Sequence, residues 1–368
     1  MSEFLWFIPS GGDGRDLVNS GVRSVRGGAS GARAPDIDYL ALVAHVAEQS
    51  GFDGAMLPSG VASEDPWLVA AALAAETRHL GLLVSARPGH EGPVSLALKA
   101  ATLQSVSDGR VRLLVVNGSH AEEQRGLGDF LGHDERYARS SEFLAVMRAT
   151  WTGAPVRHAG EHYLVDSPGL PVARTTPPPV WIGGASDAAL RVAAAQADVH
   201  ALWGETPPMV AERIAALRTL AHAAGREVDS ALRIHVIARA TEAEAWAEAG
   251  RLLSAVPQSL VDVAQRQLAR SESVGQQRMR GLHRGRTTSR VRDLEVYPNV
   301  WSGVGLVRGG AGTALVGSHA QVAERIHEYH AQGVNRFILS GYPNLEEARE
   351  VGEQVLPRVR GSMRRHVA

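Results

Sequence analysis

Eight times along this chain a short apolar run gives way to a longer amphipathic stretch. The runs are Leu5–Ile8, Ala55–Leu57, Leu80–Ser85, Val111–Val116, Val180–Ile182, Val199–Leu202, Leu232–Ala238 and Arg336–Leu339. They carry few polar residues, as strands covered on both faces do. The stretches between them have helical periodicity: Tyr39–Gln49, for example, puts Leu40, Val43, Ala44 and Ala47 on one face. Strand and helix in alternation predict a parallel sheet with a helical outer layer, and eight such units close a TIM (β/α)8 barrel. A length of 368 residues suits one barrel domain with insertions.

Two stretches break the beat. Gly11 to Ala34 is rich in Gly, Arg and Ser and reads as a flexible loop. From about Pro257 to Ser318, Arg/Gln-rich helical sequence runs into a glycine-rich segment, Gly303–Gly317. It reads as an insertion before the last strand, with the glycine-rich part a flexible loop and the whole partly a mobile lid.

Composition excludes several classes of function. The net charge of −1 comes with no basic stripe, so nucleic-acid binding has no support. No run of eighteen apolar residues predicts a membrane span, and residues 1–10 show no signal peptide. The chain has no cysteine, which removes disulfides, thiolate metal sites and cysteine nucleophiles together and fits a cytoplasmic protein. The histidines lack metal-ligand spacing; His45, His79, His90, His158, His162 and His200 read as surface or core residues, and no metal site is expected.

In a barrel of this kind, chemistry sits at the carboxyl ends of the strands and in the loops after them. The polar residues there are Ser85 and Arg87, Asn117-Gly118-Ser119, Gly183-Gly184-Ala185-Ser186, Trp203 and Tyr342. Arg233 and His235 lie two apart on the seventh strand and so share a face. Inward barrel positions are normally apolar, and a charge buried there needs a partner. An anionic ligand is one such partner; an internal salt bridge, or a register that turns Arg233 outward, is the other reading. The turn at Gly183–Ser186 opens a helix, so it is either a phosphate seat or a plain Ser186 cap. Arg308, in the glycine-rich run, is either a ligand contact or a solvated loop cation, and the run lacks the strand–GxGxxG–helix context of a dinucleotide fingerprint. Trp203 and Tyr342 are either site residues or packing.

Beyond these positions the chain resembles bacterial alkanesulfonate monooxygenase, within the bacterial-luciferase-like flavin superfamily. The stretches that carry the likeness run nearly end to end: FLWFIPSGGDG, SEDPWLVAA, LKAATLQSVSDGR, HDERYARSSEF, WIGGASD, ALWGE, RIHVIAR, SVGQQRMRGLH, NVWSGVGLVRGGAGTALVG and FILSGYPNLEEA. The resemblance implies a luciferase-like barrel with a mobile lid, assembled as a homo-oligomer, a dimer or tetramer. It implies that reduced FMN arrives from a separate NAD(P)H-dependent FMN reductase. With O2 as co-substrate, the C–S bond of an organosulfonate is broken to give sulfite and an aldehyde. Matched position by position, it places Arg233, His235, Arg308, Tyr342 and Trp203 around the reacting groups. Asn117, Tyr137, Gly184, Ala185 and Ser186 fall at flavin-contacting positions, and Ser85 joins them from the strand-end residues. Tyr137 is singled out only by the resemblance and falls in a stretch read as loop.

The chain departs from the family at the rim: Ser63 stands where the family has a cysteine, and Gly11 where it typically has a histidine. These changes bear on the substrate more than on the reaction. The alternatives are a non-enzymatic flavin-binding or sensor protein, against which Arg233, His235, Arg308 and Tyr342 together argue, another substrate within the superfamily, such as a sulfonated sugar or a sulfone, and a phosphate-binding barrel isomerase or lyase. The latter lacks an evident lysine base, because Lys99 is the chain's only lysine and sits on a predicted helix.

Overall fold

Eight parallel strands hydrogen-bond into a closed ring, which gives the chain a TIM barrel. The computed structural model describes residues 2–18, 32–169, 176–283 and 290–365. The strands in chain order are β1 (Glu3–Phe7), β2 (Gly54–Leu57), β3 (Gly81–Ala86), β4 (Val111–Val115), β5 (Val156–Ala159), β6 (Leu164–Ser167), β7 (Val180–Gly183), β8 (Val199–Trp203), β9 (Asp229–Arg239), β10 (Glu295–Tyr297), β11 (Val300–Trp301), β12 (Ala314–Ser318) and β13 (Arg336–Ser340). Around the barrel the order is β1-β2-β3-β4-β7-β8-β9-β13, and β13 pairs with β1 to close it. The other strands are side structures: β5 and β6 form a separate antiparallel hairpin.

Register sorts the strand residues onto two faces, because side chains alternate across each strand. Leu5, Leu83, Leu114, Trp181, Val199, Ala231 and Ile338 pack together as the inner core of the bore. The larger outer core lies between the strands and the helices and includes Phe4, Trp6, Leu82, Val84, Ile182, Leu232, Ile234 and Phe337. Alternate residues thus serve two cores, which is why these strands read as nearly continuous apolar runs. Helix starts are set by local chemistry. Asp36, Asp65, Ser186, Thr241 and Ser318 each accept a hydrogen bond from an amide in the first helical turn.

The segment 257–318 has more order than its composition predicts. It supplies helices Gln258–Leu268 and Val274–His283, a 3-10 turn at Gly303–Leu306, and strands β10, β11 and β12. The glycine-rich run is therefore not a loop throughout: its start is a buried turn and its end is a strand. The reason is the length of β9. At eleven residues it outruns β8, and β12 pairs in parallel with the overhang from His235 to Arg239. Where β8 ends, Thr313 Oγ1 donates to Gly204 O at 2.5 Å and His235 N donates to Thr313 O at 3.0 Å, so β12 continues the edge that β8 leaves. Residues 284–289 of this segment, and 19–31 of the Gly11–Ala34 stretch, lie outside the described residues. Among the described residues no helix is long and apolar enough to cross a membrane.

Candidate functional site

Across the sheet Arg233 pairs with Trp203 and Ile338, and His235 pairs with Ser340 and Ala314. Ile338 belongs to the inner core, so Arg233 and His235 both face the bore. The outward-shifted register is thereby excluded. Arg233 lies over the Phe7 ring, with its guanidinium carbon 4.7 Å from the centroid. Its hydrogen bonds run to backbone carbonyls, Ile234 O at 3.1 Å and Ile338 O at 3.5 Å, and among the described residues no carboxylate reaches it. Burial pushes the guanidinium down to about 10, helped by the nearby Arg308 and opposed by Tyr342. Among the described residues, Arg233 forms no internal salt bridge.

His235 is buried, and both ring nitrogens have partners. Nε2 lies 3.1 Å from Ala311 O, and Nδ1 lies 2.6 Å from Ser340 Oγ. A carbonyl only accepts, so Nε2 carries the proton and Nδ1 accepts from the Ser340 hydroxyl. Burial, then the charges of Arg233 and Arg308, hold the imidazole well below its ordinary value and keep it neutral. The ring stacks on Tyr342, 5.2 Å between centroids and 22° between planes, and the Arg308 guanidinium lies 5.7 Å from the Tyr342 ring. Arg233, His235, Arg308 and Tyr342 therefore form one group at the mouth of the bore.

Helices of the segment 257–318 hold Arg308 there. Gln265 Nε2 donates to Gly305 O and Leu306 O at 3.0 and 2.8 Å, and Gly310 N donates to Gln276 Oε1 at 2.9 Å. The same segment is clamped to the barrel by Arg278 on the buried Glu205, by Arg136 on Glu272 at 2.9 Å, and by Ser271 Oγ on Ser119 O at 2.8 Å. Arg87 does not join the site: it pairs with Glu123 at 3.0 Å and bonds Ser59.

A second group gathers at the turn after β7. Gly184 has φ +133°, and a Cβ there would lie 2.3 Å from Tyr137 Oη and 2.7 Å from Ala189 Cβ, so only glycine fits. Tyr137 is on the helix His133–Trp151, not in a loop, and burial pushes its phenol up to about 12. The same helix presents Ser140, whose hydroxyl donates to Asn117 Oδ1 at 2.6 Å. Among the described residues, Asn117 Nδ2 and Ser85 Oγ are buried without a hydrogen-bond partner. Ser186 fulfils the plain reading as a cap, accepting from Ala189 N at 3.2 Å. A cavity of about 40 Å³ lies between Gly184–Ala185, Trp203 and Ser273–Gly275. Trp203 joins the two groups, since it pairs in register with Arg233 and lines this cavity. Its indole lies where a side chain at Gly275 would contact it, at 3.1 Å.

Sequence reasoning missed two residues that shape this mouth. His200 is a buried core histidine, but its Nε2 bonds Gly184 O at 2.8 Å. Asp13 is fully buried and accepts from Gly14 N, Tyr39 Oη, Asn344 N and Asn344 Nδ2 at 2.5–3.1 Å, fixing the chain two residues beyond Tyr342. The inward alternation of β8 brings out neither. For Asp13, the polar pair Asp13-Gly14 near a strand end was the available signal. The rim departures are neighbours: the loops bearing Gly11 and Ser63 are joined by Glu64 N on Ser10 O at 2.9 Å.

Solved structures with this fold include EDTA monooxygenase from Chelativorans sp. BNC1, 20% identical, covering 98% of this chain and 94% of that one with a TM-score of 0.74. A long-chain alkane monooxygenase is 18% identical over 98% of this chain and 92% of that one, TM-score 0.77. The oxygenating constituent of 3,6-diketocamphane monooxygenase from the CAM plasmid of Pseudomonas putida, solved with FMN, is 19% identical over 98% and 99%, TM-score 0.69. At these identities the likeness establishes the fold. The sequence pattern of the luciferase-like monooxygenases matches residues 2–336, most of the chain. The chain belongs to the luciferase-like monooxygenase family.

Proposed function

We propose that this chain is the oxygenase of a two-component monooxygenase that uses reduced FMN and O2 to cleave the C–S bond of an organosulfonate, releasing sulfite and an aldehyde. A separate NAD(P)H-dependent reductase delivers the flavin. The reading also takes the chain as one barrel domain that works as a homo-oligomer, with 257–318 as the lid over the site. The observation that carries it is Arg233, a cation in the bore with carbonyls around it and, among the described residues, no carboxylate. A sulfonate is a permanent anion with three acceptor oxygens, which a planar guanidinium grips in a fork.

The residues present fit a flavin. Gly184 leaves a cradle that a Cβ would fill, and Asn117 Nδ2 and Ser85 Oγ are buried donors without a hydrogen-bond partner among the described residues. Asn117, Tyr137, Gly184, Ala185, Ser186 and Ser85 would hold it. Reduced FMN, when bound, supplies the electrons that activate O2. The chain's own residues do the rest. Arg233 binds the anion and Arg308 completes the grip from the lid. Neutral His235 ties the Arg308 loop to Ser340 through Ala311 O. The helices of the lid exclude water.

A neutral sulfone leaves Arg233 uncompensated, so an anionic substrate is favoured within the family. A phosphate-using isomerase is disfavoured because Lys99, the only lysine, pairs with Glu91 at 2.8 Å on an outer helix. The test is sulfite release from a panel of alkyl, aryl and sugar sulfonates, with FMN, NADH and a flavin reductase. Turnover of at least one sulfonate, with no turnover of the matching sulfones, is expected. Absence of sulfite with every sulfonate, alongside oxygenation of a neutral compound, overturns the substrate class.

A further inference from the structure

Three consecutive carbonyls of the turn after β7 are each held by a side chain from a different element. Gly183 O accepts from Tyr137 Oη at 3.3 Å, out of the helix His133–Trp151. Gly184 O accepts from Nε2 of His200 at 2.8 Å, on β8. Ala185 O accepts from the guanidinium of Arg213, on the helix Pro207–Ala223.

In a planar trans peptide the C=O and the following N–H point opposite ways. The amides of Gly184, Ala185 and Ser186 therefore each point away from the side chain that holds the preceding carbonyl. Among the described residues none of those amides donates to a backbone oxygen. Successive free amides at the start of a helix make an anion-binding nest, here the helix Asp187–Gln196. A second, independent feature points to a ligand beside it. Asn117 is 7% exposed, and among the described residues its Nδ2 makes no hydrogen bond of ordinary geometry, with the Tyr137 phenol its nearest polar neighbour.

His200 is suited to this one task. It is fully buried, its Nδ1 has no partner among the described residues, and the bond of its Nε2 goes to the turn. Burial pushes the imidazole down to about 4, so the ring is neutral and the tautomer is fixed by the carbonyl it serves. Arg213 brings a positive charge to the same turn, close to the Arg278–Glu205 pair.

We propose that His200 and Arg213, together with Tyr137, are positioning residues that preset this turn as the nest for the phosphate monoester of the flavin. The inference rests on the cofactor reading given under the proposed function. A phosphate that finds its amides already aimed does not have to order the turn itself, and affinity rises by that ordering cost.

Riboflavin carries the same ring without the phosphate, so it separates this role from a merely structural one. Reduced FMN and reduced riboflavin are titrated anaerobically into the wild type, Arg213→Met, Arg213→Lys, His200→Leu and His200→Gln, with flavin fluorescence as the readout. Unliganded Tm is measured on each. The expected result is that Arg213→Met and His200→Leu weaken FMN by roughly 10- to 100-fold, the range for lost hydrogen bonds to a charged group. Riboflavin affinity stays the same. Arg213→Lys and His200→Gln, which keep a donor, recover part of the loss. Equal weakening of both flavins in folded variants, or no weakening of FMN, overturns the proposal. If His200→Leu does not fold, Arg213→Met decides, because Arg213 lies at the partly exposed edge of its helix. A wild type that binds the two flavins equally well overturns the phosphate seat itself. That outcome is distinct from a wild type that prefers FMN while the variants leave the preference intact.

Discussion

At the amino end of the bore, Arg112 pairs with Glu3, and Arg336 pairs with Glu3 at 3.0 Å and also with Asp229. At the carboxyl end, among the described residues, Arg233 bonds the carbonyls of Ile234 and Ile338, lies over the face of Phe7 and meets no carboxylate. All three arginines lie on the inward face of one parallel sheet. The amino end closes the barrel with a charge-balanced layer, and the Arg112 guanidinium sits where a Cβ at Gly81 would lie 1.7 Å from it. At the carboxyl end, among the described residues, no acid offsets the desolvation of Arg233. Buried pairs offset desolvation by mutual attraction, while a lone buried charge does not. The difference identifies which end is built for a ligand: the unbalanced one, where an incoming anion supplies what the fold withholds.

Exchanging charge for shape at the two ends should therefore have opposite effects. Arg233→Met removes the cation facing the anion, and sulfite formation should fall by ~2–5 kcal/mol in transition-state stabilisation, roughly 30- to several-thousand-fold. Its Tm should hold or rise, because a costly unpaired charge has gone. Arg112→Met should do the reverse: a loss of ~1–3 kcal/mol in stability, reduced from the fully buried case because Arg112 and Glu3 are partly exposed, with kcat per folded molecule unchanged. Urea titration and sulfite assays on the same preparations measure both. A stability loss at Arg233 as large as that at Arg112 would erase the distinction.

Arg308→Lys sharpens the comparison within the carboxyl end. Lysine keeps the charge but loses the planar fork. Sulfite formation should fall by about tenfold, ~1.4 kcal/mol. Hydrogen peroxide from flavin oxidised without substrate should rise in parallel. Near wild-type values for both products would remove Arg308 from the anion grip and leave Arg233 to act alone. Proteins with and without flavin and sulfonate also differ in hydrogen exchange if 257–318 is a lid: exchange there should slow on ligand binding. Equal exchange in both states argues against closure.

The alternation that made the barrel legible also made half of this comparison legible. Arg233 and His235, two apart in an otherwise apolar strand, declare a shared inward face. Arg112 had the same signal, one charge at the start of an apolar run, which marks the amino end, but nothing local tells that Glu3 and Arg336 come to meet it. β12 escaped because ALVGS follows a glycine-rich run and pairs with the overhang of a strand eighty residues earlier, roughly, a partner no local pattern reveals. His200 reads from sequence as a surface or core histidine, and it is a core one; its bond to Gly184 is a tertiary fact. Arg213 lies on an outer helix, where arginines are ordinary. Tyr137 came from resemblance alone.

The smallest effect expected is one of pH, and it too separates the two ends. His200 is held neutral at about 4 against an ordinary 6.5, through burial, and His235 is lowered in the same direction. The unfolded chain binds these protons more readily than the folded one, so stability rises with pH across that interval. The contribution is complete above about pH 6.5 and is lost as pH falls from there towards 4. At the amino end, burial pushes Asp229 up, but the hydrogen bond and charge of Arg336 outweigh it and leave the carboxyl below its ordinary 3.8. That stability is complete above 3.8 and is lost only in stronger acid. Acid should thus loosen the carboxyl end first. His200→Gln keeps a donor and removes the proton, so the stability curve between pH 6.5 and 4 should flatten by up to ~1.4 kcal/mol per pH unit, the slope of one proton. Asp229→Asn should leave that limb unchanged and alter only the limb below 3.8. Parallel curves for His200→Gln and the wild type would mean that His200 is not held neutral, and the carboxyl end would lose its early acid sensitivity as a distinguishing mark.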